Sequence, residues 1–76
     1  MAAITTNTRE FEFANGRKPR GYGMWAFEVT LYKSGKGYTT EEVWGNGNYG
    51  DAKRAAIREA KGRVDHDFVS EIKVLP

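Results

Sequence analysis

Cysteine is absent from this chain, histidine occurs once, and proline occurs only twice. Without thiols there is neither a disulfide framework nor a thiolate zinc site, and one imidazole supplies too few nitrogen ligands to replace them. A reducing compartment fits that composition. Long hydrophobic runs are also missing: no window approaches the roughly 18 apolar residues of a membrane span. The opening Met-Ala-Ala-Ile-Thr-Thr-Asn-Thr-Arg lacks the basic and apolar regions of a signal peptide. The chain therefore reads as soluble and intracellular. Charge of one sign is scarce too, since 12 Lys and Arg against 10 Asp and Glu leave a net charge of only +2. Any case for a polyanionic partner has to come from how the charges are placed.

What the chain does have is aromatic residues, 13% of its 76 positions. A domain this short hides only about 60% of its unfolded surface, so nearly every large apolar side chain is needed inside. Against that demand, residues 15–27 stand out: Asn-Gly-Arg-Lys-Pro-Arg-Gly-Tyr-Gly-Met-Trp-Ala-Phe holds three cations and three aromatics and no acid. It is the first place to seek a contact surface.

In chain order, residues 1–8 read as a small, polar, frayed lead-in, and residues 9–76 as a single domain. Residues 9–14 alternate charge with aromatic, the period-2 signature of a strand with Phe11 and Phe13 turned inward. A loop follows, prolonged by Pro19, Gly21 and Gly23. Residues 24–33 form the strongest strand, with Trp25, Phe27, Val29 and Leu31 on the core face and Met24, Ala26, Glu28, Thr30 and Tyr32 on the other. After a turn at residues 34–37, residues 38–44 make a third strand. Tyr38, Thr40, Glu42 and Trp44 share one of its faces, a mixed pattern that suits an edge.

A glycine-rich loop then leads into a helix over about residues 49–61, with Asn48 as N-cap, Asp51 at N3 and Gly62 as C′ glycine. Ala52, Ala56 and Ala60 give that helix a narrow face of small side chains, while Arg54, Arg58 and Lys61 form the opposite stripe. Residues 65–67 are a turn, and residues 68–75 a last strand with Val69, Ile72 and Val74 apolar. The expected fold is α+β: one two-layer domain, β-β-β-α-β, with a four-stranded, mostly antiparallel sheet in order 3-2-1-4. One helix covers one face and leaves Met24, Glu28, Thr30 and Tyr32 on a bare one.

Two chemical motifs fail on context. Gly45-x-Gly47-x-x-Gly50 matches the dinucleotide fingerprint, but the strand before it is polar and the chain is about half the needed size. His66 lies between two aspartates with no nucleophile or second ligand set in fixed relation to it. No catalytic residue, cofactor or metal is expected, and no enzymatic activity. The contact candidates are Arg17, Lys18, Arg20 and Tyr22 in the loop and Arg54, Arg58 and Lys61 on the helix, where cations would meet phosphates or an acidic surface and Tyr22 would stack on an exposed base.

Three strands followed by Ala52-Lys53-Arg54-Ala55-Ala56 partly resemble the second half of a double-stranded-RNA-binding domain. In that family a Lys-Lys-x-Ala-Lys run holds phosphates at the last helix. Ala52 and Lys53 match it, whereas Tyr49 and Gly50 replace the leading lysines. The run Gly16-Arg17-Lys18-Pro19-Arg20-Gly21-x-Gly23-x-Trp25-Ala26-Phe27, the alanine-rich helix and the ending Ile72-Lys73-Val74-Leu75-Pro76 resemble short unassigned open reading frames of bacteriophages. By size and α+β class only, such proteins include anti-CRISPR proteins and other inhibitors of host defence. The resemblance implies a phage-type accessory or inhibitor in the bacterial cytoplasm, binding a host protein or nucleoprotein through the basic-aromatic loop. The alternative is direct binding of RNA or DNA through the loop and the helix stripe.

Overall fold

The computed structural model describes residues 4–76. In order, the elements are β1 (Thr5–Asn7), α1 (Arg9–Asn15), β2 (Tyr22–Lys33), β3 (Gly37–Asn48), α2 (Tyr49–Arg63) and β4 (Phe68–Val74). They build an α+β domain with one mixed, mostly antiparallel sheet of four strands in the order β1-β4-β2-β3. Strand β2 lies antiparallel to both β3 and β4, and β1 is parallel to β4. None of the helices of the described residues is long and apolar enough to cross a membrane.

The expected core row of β2 is correct: Trp25, Phe27, Val29 and Leu31 are all buried. Against it pack Ala52, Ala56 and Ala60 of α2, whose small side chains let the helix axis approach the sheet closely. Val43, Val69, Ile72 and Val74 complete this layer. The spacing Val69 then Ile72 breaks a strict alternation, and the pairing shows why. Leu31 faces Val69 while Thr30 faces Glu71, so a bulge at Ser70 returns both apolar residues of β4 to the core face. As expected, β3 is an edge strand. Its outer side is partly occupied by Arg63, whose Nη1 donates to the Glu42 carbonyl at 3.1 Å and lies 3.6 Å from the Glu41 carboxylate.

The amino-terminal reading needs correction. Residues 9–14 are helical, not a strand, and of the two phenylalanines only Phe11 is buried; Phe13 is 94% exposed. Side chains two apart lie on one face of a strand but about 200° apart on a helix. Local capping decides the matter. Asn7 Oδ1 accepts from the Arg9 N–H at 3.1 Å, the Thr8 hydroxyl reaches Glu12, and the Thr8 carbonyl accepts from the Glu12 N–H at 2.9 Å. Gly16 then closes the helix at φ 69°, its N–H donating to the Glu12 carbonyl. Of the lead-in at residues 1–8, residues 1–3 lie outside the described residues, and Thr5–Asn7 form β1, paired with Glu71, Ile72 and Lys73.

Strand order 3-2-1-4 is corrected accordingly. With no strand at residues 9–14, β4 takes the position beside β2, where its three apolar residues are covered, and polar β1 is left at the edge. Two further boundaries move. The ladder continues through Asn48 opposite Tyr22, so no loop separates β3 from α2. The helix also passes through Gly62 to Arg63 and ends at an extended Val64, so Gly62 is not a C′ glycine. Asn48 does cap α2, accepting from the Gly50 N–H at 3.0 Å.

At the opposite end of the sheet, Asp67 clamps the β2–β3 turn to the start of β4. Its carboxylate accepts from the Ser34 N–H at 2.7 Å and from Lys33 Nζ at 3.4 Å, and its own N–H donates to the Tyr32 carbonyl at 2.7 Å. The Ser34 N–H and the Lys33 ammonium hold the Asp67 carboxyl below its ordinary range, while Asp67 and then Asp65 raise Lys33. A lowered carboxyl pKa means that the unfolded chain binds the extra proton. The stabilisation is then present above about pH 4 and lost as pH falls through the folded value.

Two outcomes are expected. Phe11→Ala should lower unfolding free energy by about 3–5 kcal/mol in urea titration, whereas Phe13→Ala should change it by no more than about 0.5 kcal/mol. Asp67→Asn should lower the melting temperature at neutral pH and flatten the loss of stability below about pH 4, measured as melting temperature against pH.

Candidate contact surface

The loop at residues 16–21 joins α1 to β2 and is fastened at both ends. At one end, Gly16 caps α1; at the other, the Gly21 carbonyl accepts from the Tyr49 N–H at 2.8 Å, tying the loop to the start of α2. Pro19 is buried, while Arg17, Lys18 and Arg20 around it are all exposed. The proline thus anchors the loop and its cations are turned to solvent.

Beneath the loop, Trp25 is 4% exposed and connects three elements. Its ring lies 5.6 Å from Phe11 of α1 and 5.1 Å from Tyr49 of α2, and its Nε1 donates to the Gly47 carbonyl of β3 at 3.0 Å. Burial raises the Tyr49 hydroxyl above the ordinary tyrosine value. Trp25 is therefore a core residue, as its place on β2 predicts.

Alternate residues of β2 and β3 face away from α2. Register places Ala26 opposite Trp44, Met24 opposite Asn46 and Tyr22 opposite Asn48 on this bare face. At the cleft end of this face three large apolar side chains stand exposed: Tyr22 at 85%, Met24 at 79% and Trp44 at 66%. With Ala26 between them and Asn15 and Arg17 beside them, they line a cleft of about 500 Å³, within the range of ligand-sized clefts.

Arg17 holds its guanidinium 5.7 Å above the Phe11 ring. Asn15 Nδ2 donates to the Phe11 carbonyl at 3.0 Å, which keeps the amide at the cleft wall. The Trp44 indole is fixed in a similar way, its Nε1 donating to Glu42 Oε1 at 3.0 Å.

The predicted contact residues separate into two groups. Arg17 and Tyr22 line the cleft, Lys18 and Arg20 are exposed in the same loop, and the three cations form no ion pair among the described residues. Arg54, Arg58 and Lys61 lie on the outer side of α2, across the domain from the bare face that bears Tyr22. Arg54 is also engaged by Asp51 on its own helix. The helix stripe thus does not continue the surface formed by Arg17 and Tyr22. Trp44, Met24, Asn15 and Ala26 join the loop instead. Trp44 was visible in the sequence as a tryptophan on the polar face of a strand, but only register sets it beside Met24 and opposite Ala26.

Elsewhere, His66 Nδ1 donates to the Val64 carbonyl at 2.8 Å in the turn before β4. Among the described residues, no group of three or more His, Cys, Asp or Glu side chains is placed to hold a metal ion. Gly45 and Gly47 belong to β3. A Cβ on Gly45 would meet that of Ala52 at an ordinary 3.8 Å, so of the two only Gly47, at φ 113°, has a backbone that favours glycine. Comparison with protein-family models, curated proteins and solved structures finds no match.

Gly47→Ala should cost about 1–3 kcal/mol in chemical denaturation, because of its backbone angle and not for lack of space.

Proposed function

We propose that this chain is a small, non-enzymatic binding protein, a phage-type accessory or inhibitor in the bacterial cytoplasm that docks on a host protein or nucleoprotein. One observation supports this reading most directly. Arg17 of a fastened cationic loop and three exposed apolar side chains line a single cleft at the bare sheet face. Tyr, Trp, Met and Arg are the side chains most favoured at interface centres. A domain that needs its apolar area for a core leaves them outside at a cost in stability, and a partner surface would recover that area.

The alternative of one nucleic-acid track over loop and helix is less well supported, since the helix cations occupy the opposite layer. Acidic side chains also lie on the bare face: Glu42, bonded to the Trp44 indole at the cleft, and farther along Glu71 and Glu28, the last 3.9 Å from Lys73.

Capture from bacterial lysate by the tagged protein tests the proposal. A stoichiometric partner should be retained by Arg58→Glu/Lys61→Glu and lost, by about 2 kcal/mol or more of binding energy, in Arg17→Glu/Arg20→Glu. A partner that ignores the loop substitutions and is lost with the helix substitutions would overturn it.

A further inference from the structure

We infer that the cleft accepts an unpaired nucleotide of a single-stranded nucleic acid, its base against Trp44 and its phosphate at Arg17. This inference rests on the proposed docking function and gives that surface a ligand chemistry. Its first support is the form of the apolar part. The Glu42 bond fixes the Trp44 indole, the ring is 66% exposed, and the side chain opposite it is only Ala26. An exposed indole beside a methyl group leaves open apolar surface for a flat partner, with Met24 as an adaptable neighbour.

Charge layout supplies the second support. No acid occurs in residues 13–27; Arg17 of that run lines the cleft, and Lys18 and Arg20 stand exposed in the same loop. Asn15, with Nδ2 occupied by the Phe11 carbonyl, offers Oδ1 as an acceptor for a base edge. An anionic peptide would be drawn by the same cations, but an exposed indole next to them is better used by a base, every one of which has a π-face.

The acids set the site size. Glu28, Glu42 and Glu71 on this face repel a phosphate chain, so a strand runs along the loop for one or two nucleotides and does not cross the sheet. A single-strand salt slope of about −0.7 per phosphate then gives roughly −0.7 to −1.4 in a log–log plot.

The two tryptophans provide the assay, since Trp25 is buried and Trp44 is exposed. Hexathymidylate and hexauridylate, titrated into the full chain at low salt, should quench Trp44 fluorescence, and inorganic polyphosphate of similar charge should not. Trp44→Ala should weaken oligonucleotide binding about ten-fold or more, Trp44→Phe should restore most of it, and Arg17→Glu should weaken it about ten-fold. Arg58→Glu/Lys61→Glu should leave it unchanged. Equal binding of oligonucleotide and polyphosphate with no effect of Trp44→Ala would overturn the inference. So would absence of oligonucleotide binding. If a lysate partner is nevertheless lost in Trp44→Ala, the docking surface stands and its ligand is protein; if no partner is captured either, both readings fall.

Discussion

Trp25 is the contact on which the rest of the fold depends. Its side chain touches α1 through Phe11, α2 through Tyr49 and β3 through the Gly47 carbonyl. In a chain of 76 residues, a single large ring that joins three elements does the work that several layers of side chains share in a larger protein. Its indole N–H also explains why β3 stays paired up to Asn48. The Gly47 carbonyl is held from inside the core, and the glycine's φ of 113° lets the strand turn directly into α2.

That same junction creates the candidate surface. Because Gly21 is fastened to Tyr49 and Gly16 caps α1, the loop between them has fixed ends, and buried Pro19 holds its middle. Its cations are exposed over a short, anchored path, which lowers the ordering entropy that a flexible basic segment would lose on binding. Immediately below, β2 changes role with residue parity: Trp25 and Phe27 enter the core, while Tyr22, Met24 and Ala26 form the bare face. Core and contact surface are two sides of one strand.

Much of this was legible in the chain. The row Trp25, Phe27, Val29 and Leu31, the alanine face of α2, the Asn48 cap, the edge position of β3 and the exposed loop cations follow from periodicity and capping chemistry alone. Residues 9–15 were misleading because Glu10-Phe11-Glu12-Phe13 satisfies a two-residue period by chance of composition. Asn7, Thr8 and Gly16, the helix start and stop signals, were the better guides. Parity extended to Phe13 failed for the same reason, and with it went the expected neighbour of β4.

By itself, then, the sequence determined what is local: which strand is central, which helix face is buried, and which cations have no acid near them in the chain. Tertiary structure alone decided what depends on distant segments meeting. It put β4 between β1 and β2, because its apolar residues need cover on both sides and the polar three-residue β1 can occupy an edge. It absorbed Ser70 in a bulge so that Val69 and Ile72 share one face. It also brought Trp44 opposite Ala26 and beside Arg17, while sending Arg58 and Lys61 to the other layer. No spacing in the chain encodes that division, since it arises from strand register and from the face on which α2 packs.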